Sequence, residues 1–474
     1  MNVLHKLWNQ LVADEIRRKS RAGKEDPWRP KLHIAPPVGW LNDPNGLCEY
    51  QGVYHAFYQF APFGAEGGLK FWGHAVSRDL LHWEYQGAPL SPDQPFDCHG
   101  VYSGSALAEE DGLYLYYTGN VKHAGDYDYV CTGRESNTVL AVSRDGMQAE
   151  KKELLMTAAD YPEEMTLHVR DPKVWKQDGI YYMIQGARTR KNKGVALLFS
   201  SEDRRHFRFV RCLESKEAFG YMWECPDLYE LDGKTVFAIS PQGVEAKGLR
   251  YQNLYQSVTC FLDGDFRSAG TPDNFRELDG GFDFYAPQTF LSDDGRRIQI
   301  GWMGLPDVKD YTNLTVDYGW QHVLTLPREL SVKDGVLCQN PVRELAAWWN
   351  QEERFTGGFQ KQTDSCYELE VENGGRDVRI TIASGLLLHW DRQKKIFWME
   401  FQDPKLGAGR TRRGREVPEV SRIRVLADVS CVEVFMNEGQ DVFSTRYYPK
   451  EDQYRVTVEG EDIKGNYRSH RDCR

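Results

Sequence analysis

Three carboxylates stand out by their neighbours: Asp43 in Asn42-Asp43-Pro44-Asn45-Gly46, Asp171 in Arg170-Asp171-Pro172, and Glu224 in Trp223-Glu224-Cys225-Pro226-Asp227. Two carboxyl groups facing each other, with a third beside an arginine, suit glycoside hydrolysis, and the fixed charge of Arg170 offsets repulsion among ionised carboxylates. Taken singly, each has a plainer reading: Asn-Asp-Pro-Asn-Gly is strong turn chemistry, and Asp171 could be an Asp-Pro turn salt-bridged by Arg170. Other chemistries lack their residues. The 12 histidines show no H-E-x-x-H or comparable spacing, so no metal is indicated. No G-x-G-x-x-G or Walker sequence is present, and Cys225 has no His-based motif to activate it, although it can tune the surroundings of Glu224.

Residues this far apart in sequence share a site only if the fold brings them together, and a repeat supplies the means. A polar pair, a glycine and alternating aromatics recur around Gly52, Gly112, Gly179, Gly233 and Gly295, at intervals of 60, 67, 54 and 62 residues. Each glycine is expected in a β-hairpin turn. A second signature, Ser77-Arg78-Asp79, Ser143-Arg144-Asp145 and Ser201-Glu202-Asp203, marks another turn before an outer strand. Four-stranded units repeated five times predict a five-bladed β-propeller; the repeats of a β-helix are shorter. Nine residues before the glycines stand Asp43, Ser103, Arg170, Glu224 and Ala286. The first strand of each blade lines the central channel, so Asp43, Arg170 with Asp171, and Glu224 should meet at its mouth.

The chain of 474 residues thus reads as all-β: an N-terminal helical extension (1–29), a five-bladed propeller carrying the catalytic groups (30–340), a linker helix (341–353) and a C-terminal β-sandwich (354–474) of alternating segments such as Val432-Glu433-Val434-Phe435. Leu4, Leu7, Trp8, Leu11, Val12 and Ile16 fall at helical spacing and predict an amphipathic helix lying on the main body. Arg410, Arg412, Arg413 and Arg415 read as a solvated loop. A formal charge of −11 argues against nucleic acid or anionic lipid as partner, and 13% aromatic residues beside 43 Gly favour β-rich carbohydrate chemistry. The ten cysteines are scattered singly, without a disulfide framework, and the charged N-terminal stretch lacks the apolar core of a signal peptide. No apolar run is long enough to span a membrane, so a cytoplasmic protein with reduced thiols is expected.

His33-Ile34-Ala35-Pro36-Pro37-Val38-Gly39-Trp40-Leu41-Asn42-Asp43-Pro44-Asn45-Gly46 resembles the signature of glycoside hydrolase family 32, whose members include invertases, fructanases and sucrose-6-phosphate hydrolases. The motifs around Asp171 and Glu224 resemble that family's second and third motifs, and Phe71-Trp72-Gly73-His74, Tyr102-Ser103-Gly104-Ser105, Gly281 to Thr289 and Leu324 to Leu330 extend the likeness along the chain. The family's architecture, a five-bladed propeller followed by a β-sandwich, coincides with the repeats. The resemblance implies a retaining fructosyl hydrolase in which Asp43 is the nucleophile, Glu224 the general acid and base with a raised pKa, and Asp171 the transition-state stabiliser. It implies sugar contacts from Trp40, Leu41, Asn42, Gln59, Trp72, Tyr102, Ser103 and Arg170, and no metal or organic cofactor. Carboxylates about 5 to 5.5 Å apart go with retention.

With cytoplasmic placement, the resemblance is strongest to the sucrose-6-phosphate hydrolases, and Ser240-Pro241-Gln242-Gly243 through Arg250-Tyr251-Gln252-Asn253 adds to it. Fructo-oligosaccharides are the second substrate class, and a catalytically silent carbohydrate-binding propeller is the reading from a different class. A sugar phosphate needs cations at the pocket rim, for which Arg188, Arg190, Lys191, Lys193, Lys247 and Arg250 are candidates. The segment Ala61 to Gly68 departs from relatives that carry Asn and Trp there, which bears on leaving-group selectivity.

Overall fold

The repeat glycines lie at or beside the tips of antiparallel hairpins in the computed structural model, which describes residues 2–21 and 25–471. Three of these turns have two residues with positive φ, Gln51-Gly52, Asp178-Gly179 and Asp232-Gly233, with glycine φ of 71°, 79° and 75°. That backbone matches the twist of the strands it joins, and glycine adopts it without a Cβ penalty. The Ser-x-Asp signatures form the next turns: Ser77, Ser143 and Ser201 donate to Asp79, Asp145 and Asp203, whose carboxylates cap following amides.

Among the described residues, the first 341 form five antiparallel sheets, each begun by one long strand: Gly39–Tyr50, Val101–Glu109, Met165–Gln177, Met222–Leu231 and Tyr285–Leu291. These first strands touch in a closed cycle, the fifth returning to the first. Trp320–Gln321 pairs in parallel with Gly39–Trp40 while Val323–Leu324 pairs with the fifth sheet, so one segment fastens the ends of the cycle together. Separate apolar clusters fill the spaces between consecutive sheets.

A belt of polar contacts links the first strands around the axis. Asn45 accepts from the Gly104 amide at 3.1 Å, and Ser105 donates to Pro172 O at 2.8 Å. Lys173 pairs with Asp227 at 3.4 Å, Asp227 accepts from the Thr289 amide at 2.8 Å, and Gln288 accepts from the Leu47 amide at 3.3 Å. Buried polar groups cost least when bonded in this way, and the belt fixes the relative heights of the five strands.

After a single helical turn, Leu345–Trp348, two six-stranded sheets pack face to face as a β-sandwich around Leu369, Val425, Phe397 and Val458. Of the arginines expected in a solvated loop, Arg412 is exposed, whereas Arg410, Arg413 and Arg415 bind the two units together. Arg410 is fully buried and forks onto Asp283 with both bonds at 2.7 Å; Arg413 lies over the Phe282 ring and donates to Asn253 at 2.8 Å; Arg415 donates to Glu277 O at 3.4 Å. Charge density alone does not distinguish a solvated run from a strand edge facing carboxylates across an interface. Arg328 donates twice to Glu433, at 2.9 and 2.5 Å, and His33 sits between Asp428 at 2.7 Å and Glu433 at 3.0 Å.

The N-terminal helix forms over Val3–Arg21, with Trp8, Val12 and Ile16 against the body. Leu4, Leu7 and Leu11, expected on that face, are 53%, 52% and 40% exposed. The helix is turned by His5, whose ring bonds Ser91 at 2.7 Å, so the buried stripe runs through positions 5, 8, 12 and 16. No helix of the described residues is long and apolar enough to cross a membrane. Cys48, Cys98, Cys131, Cys212, Cys225, Cys260, Cys338 and Cys431 are free thiols; Cys473 lies outside the described residues.

Candidate active site

The first strand of all five sheets breaks register with its neighbour at the same level, between Leu41 and Pro44, Val101 and Gly104, Arg170 and Lys173, Glu224 and Asp227, and Tyr285 and Gln288. A bulge bends a strand and re-aims its side chains. Asp171, Cys225 and Ala286 take φ values of 63°, 46° and 47° within these bulges. The positions nine residues before the glycines therefore fall in a bulge or directly beside one. They do converge, save Ala286, which joins the apolar core.

Asp43 is held by three side chains. Its Oδ2 accepts from Ser103 Oγ at 2.5 Å and Gln59 Nε2 at 3.3 Å, and its Oδ1 accepts from Asn42 Nδ2 at 3.0 Å. Burial raises the pKa of this carboxyl, the Ser103 and Asn42 bonds lower it, and the charge of Glu224 raises it again. Asn42 is itself fixed, its Oδ1 accepting from Trp40 Nε1 and Lys70 Nζ, each at 2.8 Å. Lys70, not singled out in the sequence, lies over the Trp40 ring, and burial brings its pKa down to about 7 against the opposing pull of Asp43.

Glu224 faces it from the fourth sheet. Oε1 accepts from Arg170 Nη2 at 2.6 Å and Nε at 3.1 Å; Oε2 accepts from Tyr285 OH at 2.7 Å and Gln242 Nε2 at 2.8 Å. Tyr285 and Gln242 lie inside segments whose likeness to the family is visible in the sequence, but no spacing rule marks them as partners of Glu224. Asp171 accepts from the Cys225 amide at 2.9 Å, while its own amide donates to Thr118. Burial pushes Asp171 up to about 7, with Arg170 opposing and Glu224 and Asp43 reinforcing. The Cys225 thiol, 3.6 Å from Asp43, is driven well above its ordinary value by burial and by the surrounding carboxylates, so it is no nucleophile.

Two expected sugar contacts serve packing instead. Leu41 is fully buried in the apolar core, and Trp72, equally buried, donates its Nε1 to Tyr102 O and packs on Phe57 and Tyr117. At the departing segment, a Cβ on Gly67 would meet no atom within 4 Å, but its φ of 117° strains any residue other than glycine there. Of the cations proposed for the rim, Lys193 pairs with Glu214 at 2.7 Å and Arg250 donates to Phe275 O at 2.7 Å. Arg190 Nε is taken by Glu163 O, Lys191 is exposed, and Lys247 lines a cleft against Arg415 of the sandwich; Arg188, stacked on Tyr221, acts electrostatically on His168 beside Arg170.

Three carboxyl groups from three sheets, one clamped by hydroxyl and amide donors and one by a guanidinium, can attack and protonate the two ends of a single bond. Comparison with known proteins agrees with this chemistry. Residues 33–341 match the model described as glycosyl hydrolases family 32 N-terminal domain, and residues 356–469 its C-terminal counterpart. The chain is 39% identical to sucrose-6-phosphate hydrolase of Bacillus subtilis over 94% of both chains, and 36% identical to raffinose invertase of Escherichia coli over 94% and 95%. Among solved structures, sucrose-6-phosphate hydrolase of Lactobacillus gasseri superposes with a TM-score of 0.88 at 28% identity, covering 98% of this chain and 97% of that one. A Bombyx mori beta-fructofuranosidase mutant in complex with sucrose gives 0.84 at 30% identity, covering 98% of both. With both of its units matched and the likeness running nearly end to end, the chain belongs to glycosyl hydrolases family 32.

Proposed function

We propose that the protein is a retaining β-fructofuranosidase that hydrolyses sucrose 6-phosphate and sucrose. The observation that carries this is the convergence of Asp43 and Glu224 from sheets far apart in sequence, each with a separate set of donors. In the first step a carboxylate oxygen of Asp43 attacks the anomeric carbon of the fructosyl unit as the glycosidic C–O bond breaks. The proton of Glu224 passes to the departing oxygen, leaving a fructosyl ester on Asp43. Water then attacks the same carbon, gives its proton to Glu224, and frees Asp43 with configuration retained. Asp171 binds fructose hydroxyls as positive charge develops on the ring, and Arg170 orients Glu224. The five sheets are the blades of a propeller spanning 30–340, with the extension 1–29, the linker 341–353 and the sandwich 354–474 as scaffold, and the enzyme works in the cytosol. The reading is supported by relatives named for this activity. It is tested by fructose release from sucrose 6-phosphate, sucrose and an inulin-type oligosaccharide, with the first-formed anomer followed by NMR. Asp43→Asn and Glu224→Gln should each lower kcat/KM at least about 10³-fold. Inverted product would overturn the mechanism, and release that survives Asp43→Asn would overturn the assignment.

A further inference from the structure

Beside Glu224 the site holds more positive charge than its carboxylates answer. Arg170 Nη1 bonds His168 Nδ1 at 2.6 Å, and a guanidinium only donates, so Nδ1 is the acceptor and the ring carries its proton on Nε2, directed at Tyr129 O 3.0 Å away. The imidazole is therefore neutral, and its pKa is driven down to about 3 by burial and by the charges of Arg170 and Arg134. Arg134 packs against the same ring, its Nη1 3.3 Å from the Nδ1 already engaged by Arg170. Its Nε is buried with no partner. The guanidinium of Arg134 thus touches only this neutral, already occupied ring through Nη1, and among the described residues no carboxylate lies within ion-pair distance of Arg134. Lys122 is its cross-strand partner, so a second cation stands next to it without a carboxylate partner. Arg188 completes the group from the third sheet, its guanidinium on the Tyr221 ring and bonded to the neutral Asn192.

Cations are kept this close, in a chain of net charge −11, at a measurable cost in repulsion unless an anion joins them. Their position selects which part of the substrate carries it. Glu224 acts electrostatically on Arg134, and Glu224 is the group that protonates the departing oxygen. Lys70, a further cation with no ion pair among the described residues, sits across the site beside Asn42 and Asp43. We propose that Arg134, supported by Lys122 and Arg188, binds a phosphate monoester on the leaving-group sugar and sets the preference for phosphorylated over plain sucrose. This rests on the fructosidase reading and adds to it specificity residues on the second and third sheets. A guanidinium suits the task because it offers parallel N–H groups to two phosphate oxygens, and a cation already desolvated loses little more on binding.

The test compares kcat/KM for sucrose 6-phosphate and for sucrose in the wild type, Arg134→Gln, Arg134→Lys and Lys70→Met, with inorganic phosphate as a competitor. Loss of a charge-assisted pair should lower the phosphorylated-to-plain selectivity ratio about 10- to 100-fold in Arg134→Gln, with partial recovery in Arg134→Lys. Inhibition by phosphate should weaken in parallel, and Lys70→Met should leave the ratio in place. Equal losses on both sugars in Arg134→Gln, or a ratio that collapses only in Lys70→Met, would overturn the assignment. A wild type that releases no fructose from either sugar would instead refute the fructosidase reading.

Discussion

Asp171→Asn should abolish turnover and at the same time stabilise the fold, in a pH-dependent way. The substitution is conformationally mild, because Asp171 has φ of 63° and asparagine tolerates that left-handed backbone as well as aspartate does. It also keeps an oxygen to accept from the Cys225 amide. What it removes is a charge that burial, Glu224 and Asp43 disfavour, raising the carboxyl from 3.8 to about 7. That is roughly three powers of ten in proton affinity, or ~4 kcal/mol at 1.36 kcal/mol each. For a carboxyl raised in the folded state, the native protein binds more protons than the unfolded chain, so stability falls as pH rises. The wild-type penalty is absent below 3.8, grows through the interval and is complete above about 7.

Urea unfolding followed by tryptophan fluorescence at pH 4, 5, 6.5 and 8 reads this directly. The stability gain of Asp171→Asn should be smallest at pH 4, grow through pH 5 and 6.5, and reach ~4 kcal/mol at pH 8. A gain of equal size at every pH would mean packing rather than charge, and no gain at pH 8 would refute the claim that this carboxylate is held against its own desolvation.

Lys70→Met is the mirror case. Its ammonium is lowered from 10.5 to about 7, so the penalty is full below 7 and fades as pH rises to 10.5. After the lost bond to Asn42, a net gain of about 3 kcal/mol at pH 6 is expected, shrinking toward pH 10 in the same unfolding assay. His33→Ala should act in the opposite sense, costing about 3 to 5 kcal/mol because it leaves Asp428 and Glu433 without their shared partner. Burial alone would lower the pKa of His33, but Cys431 together with Asp428 and Glu433 outweighs it and holds it well above 6.5. Its contribution is therefore complete below 6.5 and lost as pH rises through the folded value, so the gap between wild type and variant should narrow in alkaline buffer, as calorimetry would show.

The sequence carried the repeat and the convergence of Asp43, Arg170 and Glu224 because hairpin turns impose a local rule, glycine at positive φ, that can be counted along the chain. It carried less of what surrounds them. Tyr285 and Gln242 reach Glu224 across sheets, and nothing in their local spacing records a contact made through tertiary structure. Lys70 and Arg134 are ordinary cations in the sequence; only the absence, among the described residues, of a carboxylate within ion-pair distance, a property of the fold, sets them apart. The reverse error occurred at Arg410, Arg413 and Arg415, where a dense basic run looks solvated until Asp283, Asn253 and the Glu277 carbonyl are seen facing it. His33 shows a third case, since it opens the motif that ends at Asp43 yet anchors the sandwich to the sheets rather than touching the site.

The buried charges of this protein thus fall into two groups that respond oppositely to neutralisation. At the domain interface Arg328, Arg410 and His33 are matched atom for atom by Glu433, Asp283 and Asp428, and deleting one partner strands the other in a medium that cannot solvate it. In the site, Asp171 is buried and Lys70 and Arg134 are half-buried, each without a full counter-charge, and Arg134 Nε is also without a bond. A group held in that state is poised to gain when substrate hydroxyls, developing positive charge or phosphate arrives, which is how a preorganised site favours a transition state over water. The domain anchors supply the rigidity that keeps such unmatched charges from relaxing toward each other, so the sandwich acts on the chemistry through the sheets it braces.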